Sequence, residues 1–549
     1  MPVSPRQLAT RFLLWLGPLG FIGLLFLLPV ANVLGLGLAG AGGTAFANSE
    51  SIGLGHDPLG LIWFTIGQAL VSTGLCLIFG LPVAYLLYRR RLPGQRLWRA
   101  LTMLPFVLPT LVVAIGVRAL FGGSVATVGG AALASILVAH LLLNVSLTTR
   151  LVGTAWARID LGQEEATELA GAGRLRIFFA VILPQVRGAV AASAALSFLY
   201  CVSSFSIILI LGGGFIRSIE TQLSMAATDY LDLRSAGLLA LAQTVITVVA
   251  FVLAGRVGRG QGVEKTSGEH HSRLVDSRDL PALALGLAPL VAIIGWMLWT
   301  IAARSLTEPS GGVGLANLAN LGTFGARDLL DISVLDSIGN SLRNAALSTL
   351  LSLLVGTLVG WLVAHSRANR LARILDVLFL LPLGTSTVVL GFGYLVTFAQ
   401  PPMALRESWV AVPIAQAVIA VPLVVRMMHG AFEQTDRALL EAAATDGAGR
   451  ARVFWAIELP LIRATLLSAA AFAALVSLGE FGAASFLAFG DQATLPTALY
   501  RLISRPGAQN FGMAMAVATI MAALSLAVVF ALSGDRRTRR ARQPHRAGA

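Results

Sequence analysis

The chain has 549 residues, of which 56% are hydrophobic and only 12% are charged, and its mean hydropathy is +0.79. A soluble protein carries about a quarter charged residues, so these values exclude a soluble multidomain protein and indicate a polytopic membrane protein. The formal net charge of +13 does not indicate nucleic-acid binding, because the basic residues lie in short loops and at the tail rather than on one folded face.

Apolar segments recur along the whole chain and alternate with short polar loops. Crossing about 30 Å of hydrocarbon takes roughly 20 helical residues. Twelve segments reach this length: 12–38, 61–88, 100–121, 131–153, 187–212, 236–256, 281–303, 341–365, 372–398, 409–429, 463–489 and 512–533. The first is too long for the apolar region of a signal peptide, of about 7–15 residues. It therefore reads as a retained helix, with cleavage near Ala45–Ala47 as the alternative.

The stretch 257–277 is charged, contains Gly and Ser, and lacks apolar periodicity, which is typical of a flexible linker. We therefore predict an all-α membrane protein of two tandem six-helix halves, 1–256 and 281–549, joined by a cytoplasmic linker at 257–280. Lys and Arg concentrate in alternate loops and at the C-terminal tail. The positive-inside rule then places both termini in the cytoplasm.

Two stretches, 165–187 and 441–463, are copies of each other, and we call them the first and second islands. Both contain Gly-Ala-Gly-Arg and end in Leu-Pro before an apolar segment, with a constant offset of 276 residues that pairs, for example, Gly171 with Gly447. Positions related by this offset are called repeat mates below. The composition predicts a short helix, a glycine bend and a second short helix at the membrane surface. Pro184 and Pro460 would then occupy the first turn of the next membrane helix.

The islands resemble the cytoplasmic loop signature of permeases from binding-protein-dependent ABC importers, which begins Glu-Ala-Ala, has Gly four positions on and ends with Pro. The second island matches throughout, whereas the first has Thr167 in place of the third small residue. The resemblance implies the type I importer permease fold and makes the islands the contacts for ATPase subunits. The implied coupling residues are Glu165, Ala166, Gly171, Pro184, Glu441, Ala442, Gly447 and Pro460.

Fusion of two permease halves in one chain is similar to the thiamine and ferric-iron importers. Residues 203–205, 211–214 and 218–220 resemble thiamine permeases most, while 477–482 and 494–496 are shared more widely, including with iron permeases. The resemblance implies two ABC ATPase subunits that bind ATP and Mg²⁺, a substrate-binding protein outside the cytoplasm, and a location in the bacterial cytoplasmic membrane. No cofactor, metal, catalytic residue or nucleic-acid partner is expected for this chain.

A nucleotide site is not predicted in the chain itself. A Walker A loop ends in Gly-Lys-Ser/Thr, but the only lysine, Lys265, follows Glu264. Cys76 and Cys201 both lie in apolar segments and indicate neither a disulfide framework nor a metal site. ATP hydrolysis is therefore expected in separate subunits. An integral membrane enzyme is not favoured, because the sequence contains no catalytic cluster.

Polar residues within apolar segments are candidates for the substrate path. Glu480 is the sharpest, as a carboxylate predicted within an apolar helix, and its repeat mate is Ser204; His140 and its mate Gln416 are further candidates. A carboxylate suits a cationic cargo such as thiamine or chelated iron. The alternative for Glu480 is a structural clamp between helices. An ion-coupled twelve-helix secondary transporter is the alternative function, but it predicts coupling charges in several helices and no paired islands.

Overall fold

The computed structural model describes residues 5–41, 58–122, 125, 128–258, 273–308, 311–365, 370–399, 404–405 and 408–540. Long helices dominate these residues. Ten are long and apolar enough to cross a membrane: Leu14–Ala39, Leu59–Arg89, Gly129–Trp156, Arg174–Val202, Leu233–Arg256, Leu280–Ser305, Val334–Ala364, Ala411–Glu433, Ala451–Gly479 and Ala508–Phe530. Counting two bent helix pairs as one span each gives twelve, six per predicted half. The predicted all-α polytopic fold is confirmed.

The third span of each half is a bent pair rather than a straight helix. Gln95–Val107 meets Thr110–Phe121 at 101°, and Ile374–Gly384 meets Thr387–Thr397 at 100°. In the first pair Leu108 is extended, because the ring of the following Pro109 disfavours helical backbone at the preceding residue. In the second pair the Ser386 hydroxyl accepts the Val388 N–H and starts a new helix. The predicted continuous spans 100–121 and 372–398 are therefore each broken.

The fifth spans also differ from their predicted bounds, 187–212 and 463–489. Each helix begins more than ten residues earlier and ends at Val202 or Gly479. Shorter helices follow and fill the loops: Leu161–Leu169, Phe205–Leu211, Ile219–Thr228, Ala316–Ala319, Arg437–Thr445, Ala484–Leu487 and Leu495–Ser504. The strands found in the described part of the chain, Arg90–Arg91 and Arg273–Leu274, pair in parallel.

The repeat extends to the way short helices begin. Ser218 and Thr221 form a capping box at Ile219–Thr228, and their mates Thr494 and Thr497 form another at Leu495–Ser504. The first backbone N–H of each helix also donates to a hydroxyl from the second span of its half: Ile219 to Thr65, at 3.2 Å, and Leu495 to Ser341, at 2.8 Å. The two halves thus satisfy equivalent backbone groups with equivalent side chains.

The described residues fall into two compact units that do not coincide with the two sequence halves. One unit lies within Met1–Gly35 and Glu308–Ala549, and the other within Leu36–Thr307. The N-terminal part of the first span thus belongs with the second half, and the span Leu280–Ser305 belongs with the first. The division at 1–256 and 281–549 remains a prediction about the repeats, while the compact units exchange their first spans. Most of the predicted linker, 259–272, lies outside the described residues.

The second arm of each bent pair lies in the core of its unit. Residues 111–117 are all buried, as are residues 388–394. In the unit containing the N-terminal helix, the Tyr394 hydroxyl donates to the Leu25 carbonyl at 2.8 Å and the Asn32 amide donates to the Thr397 hydroxyl at 3.0 Å. These bonds fix the exchanged first span to the buried arm, since unsatisfied polar groups are costly inside a membrane protein.

Candidate functional site

The helix that opens each island starts and ends at equivalent residues. Asp160 caps Leu161–Leu169 by accepting the Gly162 N–H at 3.0 Å. Its repeat mate Asp436 caps Arg437–Thr445 by accepting the Ala438 N–H at the same distance. A carboxylate at the N-cap satisfies a helical N–H that has no other partner. The islands are therefore copies in structure as well as in sequence.

Glycine ends both island helices in the left-handed backbone conformation that it favours. The φ angle is +81° at Gly171 and +80° at Gly447. The next residue donates its N–H back across the turn, Ala172 to Thr167 and Ala448 to Ala443, as in a Schellman motif. A Cβ at either glycine would meet nothing within 4 Å. The backbone angle, and not crowding, therefore requires glycine here.

Pro184 and Pro460 do not open the membrane helices, contrary to the prediction. The helix through Pro184 already starts at Arg174, and the one through Pro460 includes Ala451. A π-helical turn, Phe178–Ile182 or Phe454–Glu458, precedes the Leu-Pro in each case. The wider turn accommodates a residue that has no N–H to donate. The second part of each island is therefore the first part of the fifth span.

The acidic and small residues of the signature are exposed. Glu165, Ala166, Glu441 and Ala442 are all exposed, as are Pro184 and Pro460. The helix Leu161–Leu169 buries no residue, and Leu169 at its end is 90% exposed. The role of these residues in coupling remains a prediction.

The first island is attached to its unit by an ion pair and by aromatic packing. Arg89, at the end of the second span, donates to Glu164 at 2.5 Å and to the Ile159 carbonyl at 2.8 Å. The Phe178 ring lies 5.8 Å from that of Trp156, at the end of the fourth span. The island is thereby attached near the start of its short helix and again beyond the glycine bend, although the faces of that helix are exposed.

The second island is attached by different chemistry at equivalent positions. Glu458, which is buried, accepts the Trp361 indole N–H at 3.0 Å, and its other oxygen lies 3.0 Å from His365 Nε2. Trp361 and His365 are the repeat mates of Tyr85 and Arg89. The mate of Glu458 is Ile182, which packs in an apolar cluster. In the second half the anchoring carboxylate therefore comes from the island itself.

A cleft of about 290 Å³ lies beside the second island. It is lined at the end of the second span by Ala364 and His365, at the end of the fourth by Phe432, Glu433 and Thr435, and at the start of the island by Leu440 and Glu441. Glu441 is the first residue of the signature. The cleft thus combines the apolar side chains of Ala364, Phe432 and Leu440 with the carboxyl groups of Glu433 and Glu441.

His140 and Ser204, the first-half candidates for the substrate path, are hydrogen-bonded to each other. His140 Nε2 lies 2.6 Å from Ser204 Oγ, and its Nδ1 lies 2.9 Å from Ser72 Oγ. All three side chains are buried. Ser203 and Ser204 form the break between the helices Arg174–Val202 and Phe205–Leu211. The trio joins the second, fourth and fifth spans at that break.

Gln416 and Glu480, the second-half candidates, are also buried but are not bonded to each other. Gln416 donates to the Ser477 carbonyl at 3.1 Å and accepts the Ser477 hydroxyl at 2.5 Å. Glu480 does not lie within a helix, contrary to the prediction: it follows Gly479 in extended conformation. Its carboxylate accepts the N–H groups of Ala483 at 2.7 Å and Ala484 at 3.0 Å. These contacts are local, with the backbone three and four residues further on; the clamp between helices and the path-lining role both remain predictions.

Sequence reasoning missed the polar residues that support the break in the first half. Gln68 donates to the Cys201 carbonyl at 2.9 Å, and Gln243 donates to the Val202 carbonyl at 3.3 Å. Gln243 also donates to Glu220 at 3.0 Å, and Glu220 is fully buried. Carbonyls at a helix end have no partner within the helix. An acid and two glutamines in apolar surroundings were the available signal.

Comparison with known proteins gives one family and consistent relatives. The family model described as "Binding-protein-dependent transport system inner membrane component" matches residues 77–260 and 356–542. The chain is 27% identical over 541 residues to the thiamine transport system permease protein ThiP of Brucella abortus (strain 2308), covering 93% of each chain. It is 25% identical over 503 residues to the protein of that name from Escherichia coli (strain K12), covering 86% of this chain and 89% of the relative.

A third relative has a less specific name. The probable ABC transporter permease protein y4fN of Sinorhizobium fredii (strain NBRC 101917 / NGR234) is 25% identical over 495 residues, covering 85% of this chain and 86% of the relative. The two matches to the family model fall one in each half, and each includes an island. Ferric iron appears in none of these three names.

Proposed function

Since the chain belongs to the family of binding-protein-dependent transport system inner membrane components and is an ABC importer permease, we propose that it passes thiamine across the bacterial inner membrane. The substrate rests on the printed names of relatives that align over most of both chains. No observation favours ferric iron. Membership of this family also removes the ground for the ion-coupled secondary transporter.

One observation carries the proposed coupling mechanism: the paired islands share their caps, their left-handed glycine and their exposed helix. We infer that each island binds one ABC ATPase subunit, which supplies ATP and Mg²⁺. A substrate-binding protein would deliver thiamine from the opposite side of the membrane. Both termini, the linker and both islands would then face the cytoplasm, as the Lys/Arg distribution favours.

The continuity of each island with its fifth span suggests how force would be transmitted. The helix Arg174–Val202 begins at the glycine bend and runs to the break at Ser203–Ser204. At about 1.5 Å per residue its 29 residues extend over roughly 44 Å. A push on the island by a closing ATPase dimer would therefore move this helix as one rigid element. The polar groups at its far end would move with it, and we infer that this movement gates substrate passage.

Transport in a reconstituted system tests the proposal. The permease, its ATPase and its binding protein would be placed in liposomes, and uptake of radiolabelled thiamine would be measured with and without ATP. We expect uptake to require ATP and the binding protein, and excess unlabelled thiamine to suppress it. Liposomes that do not import thiamine but take up radiolabelled chelated ferric iron in an ATP-dependent way would overturn the substrate assignment while retaining the importer. A chain that imports neither thiamine nor ferric iron carries another solute.

A further inference from the structure

A buried carboxylate at the end of the linker joins it to the first half. Asp279 is fully buried, and its Oδ2 lies 3.0 Å from Arg90 Nε. Its Oδ1 accepts the Tyr85 hydroxyl at 2.9 Å, and the Tyr85 hydroxyl in turn accepts from Arg90 Nε at 2.8 Å. A buried ion pair is tolerated only when further hydrogen bonds satisfy its remaining groups. The Tyr85 hydroxyl supplies one such bond to each partner, accepting from Arg90 and donating to Asp279.

The backbone before Asp279 is also fixed to the same loop. Arg273–Leu274 pairs in parallel with Arg90–Arg91. Asp276 and Asp279 form a capping box around the short 3₁₀ turn Ser277–Asp279, in which Asp279 accepts the Asp276 N–H at 3.0 Å. We call residues 273–279 the linker strap. It ends where the span Leu280–Ser305 begins.

The strap reaches the first island through the arginine of the Gly-Ala-Gly-Arg motif. Arg174 Nη1 lies 3.7 Å from Asp279 Oδ1. Arg174 is the first helical residue after the bend at Gly171 and Gly173. One carboxylate therefore contacts the second span, the loop that follows it and the first residue of the helix Arg174–Val202.

The second island carries its own carboxylate for this position. Glu458 lies within the island and binds Trp361, the repeat mate of Tyr85. In the first island the mate of Glu458 is the apolar Ile182, and Asp279 binds Tyr85 instead. Both halves thus present a buried acid to the aromatic residue at the end of the second span. Only in the first half does that acid come from outside the island.

We propose that the linker strap is a positioning element for the first island, with Asp279 as its positioning residue. The role in transport rests on the coupling function proposed above. The linker then does more than tether two halves: its last residues determine the orientation of one of the two contacts for the ATPase. Loss of the Asp279 charge should loosen the first island and leave the second unchanged.

Island mobility tests this without cargo, ATP or partner proteins. In a background with Cys76→Ser and Cys201→Ser, a spin label is placed at Leu169→Cys or at its repeat mate Thr445→Cys, and its mobility is measured in the purified permease. We expect Asp279→Asn to increase mobility at position 169 and not at 445. Glu458→Gln should do the reverse. Thermal unfolding of the same samples identifies a variant that has simply lost its fold, and Arg174→Gln, which removes the contact with Asp279 from the half-exposed island side, then replaces it.

The consequence for transport is measured as thiamine imported per ATP hydrolysed. Asp279→Asn should lower this ratio several-fold while ATPase subunits still bind, Asp279→Glu should largely restore it, and Asp229→Asn, at an exposed position of the same half outside the strap, should leave it near wild type. Unchanged mobility at position 169 overturns the proposal, as does equal loosening of both islands. A wild-type chain that does not import thiamine overturns the proposed function alone, because the mobility experiment stands without it.

Discussion

Gly116 and Gly393 are equivalent glycines, and each is a point of close contact with an exchanged first span. A Cβ at Gly116 would lie 2.3 Å from Met297 Cγ, and one at Gly393 would lie 3.0 Å from the Pro29 carbonyl oxygen. The two are 277 residues apart, one more than equivalent residues of the islands. The equivalent prolines Pro105 and Pro382 have the same offset of 277, so the repeat is shifted by one residue in this part of the chain. Small residues allow membrane helices to approach closely where lipid-like side chains give no hydrophobic driving force.

Gly116→Ala should destabilise the unit that contains Leu36–Thr307. The added methyl collides with Met297 and Ile301, and overpacking of this kind costs about 1–3 kcal/mol. Thermal unfolding in detergent measures the loss. Gly295→Ala, on the same exchanged span but with nothing within 4 Å of its Cβ, is the matched control and should unfold near the wild-type temperature. Met297→Ala added to Gly116→Ala should recover part of the loss; no recovery would argue against this contact.

Gly447→Asn should impair coupling less than Gly447→Val. Asparagine tolerates the left-handed conformation observed at φ +80°, whereas a β-branched residue does not. Because a Cβ here would meet nothing within 4 Å, the cost of a side chain comes from backbone strain, about 1–3 kcal/mol, and not from a steric clash. ATP-dependent uptake and ATPase binding, measured on one preparation, give the result. Gly449→Ala, also with open space but without positive φ, is the control.

Gly447→Asp separates backbone strain from charge. Aspartate also tolerates the left-handed region, so a variant as active as Gly447→Asn would show that negative charge is harmless at this surface. We expect instead a larger loss of uptake than for Gly447→Asn, with insertion intact, because the bend lies on the face proposed to meet the ATPase. The same pair at Gly171 should behave alike.

Glu480→Gln should lower the thermal stability of the protein more than it lowers the affinity for thiamine. The carboxylate accepts two backbone N–H groups, from Ala483 and Ala484. An amide puts a donor where one acceptor stood, and a buried group left without its partner costs about 1–3 kcal/mol. Unfolding temperature and uptake at limiting thiamine are measured together. Asp491→Asn, an exposed carboxylate in the same half, controls for loss of charge alone; normal stability with weak uptake would instead place Glu480 on the path.

Gln243→Leu should destabilise the break in the fifth span of the first half. It removes the donor to the Val202 carbonyl and to Glu220, both buried. The expected cost is about 1–3 kcal/mol, seen as a lower unfolding temperature. Gln185→Leu, at an exposed position on the same fifth span, should change stability little. Equal effects of the two substitutions would mean that the buried bonds do not hold the break.

The islands could be predicted because their signals are local. Gly171 and Gly447 indicate a left-handed turn, and the constant offset of 276 residues shows that the second island repeats the first. Pro184 was misread because proline is equally compatible with a helix start and with a π turn inside a helix. Glu480 was misread because an apolar run does not reveal where its helix breaks. Hydropathy identifies a span but not the spans that it packs against. The exchange of the first spans between the two halves therefore has no signal in the sequence.

Asp279 and Glu458 could not be found by comparing the halves. The repeat mate of Glu458 is apolar, and that of Asp279 is apolar or absent. Comparing the two repeats therefore reveals neither acid. Their shared task becomes visible only when Tyr85 and Trp361 are seen to bind an acid from different parts of the chain. Equivalent positions can be preserved in space without being preserved in the alignment of two repeats.

The exchanged first spans determine when each unit can finish folding during synthesis. The N-terminal helix enters the bilayer first, yet the residues that bind it, Tyr394 and Thr397, emerge from the ribosome more than 350 residues later. The unit within Leu36–Thr307 closes earlier, once the span Leu280–Ser305 has been inserted. Until the second half is translated, the N-terminal part of the oldest helix therefore stays in the lipid without the two side chains that bind it.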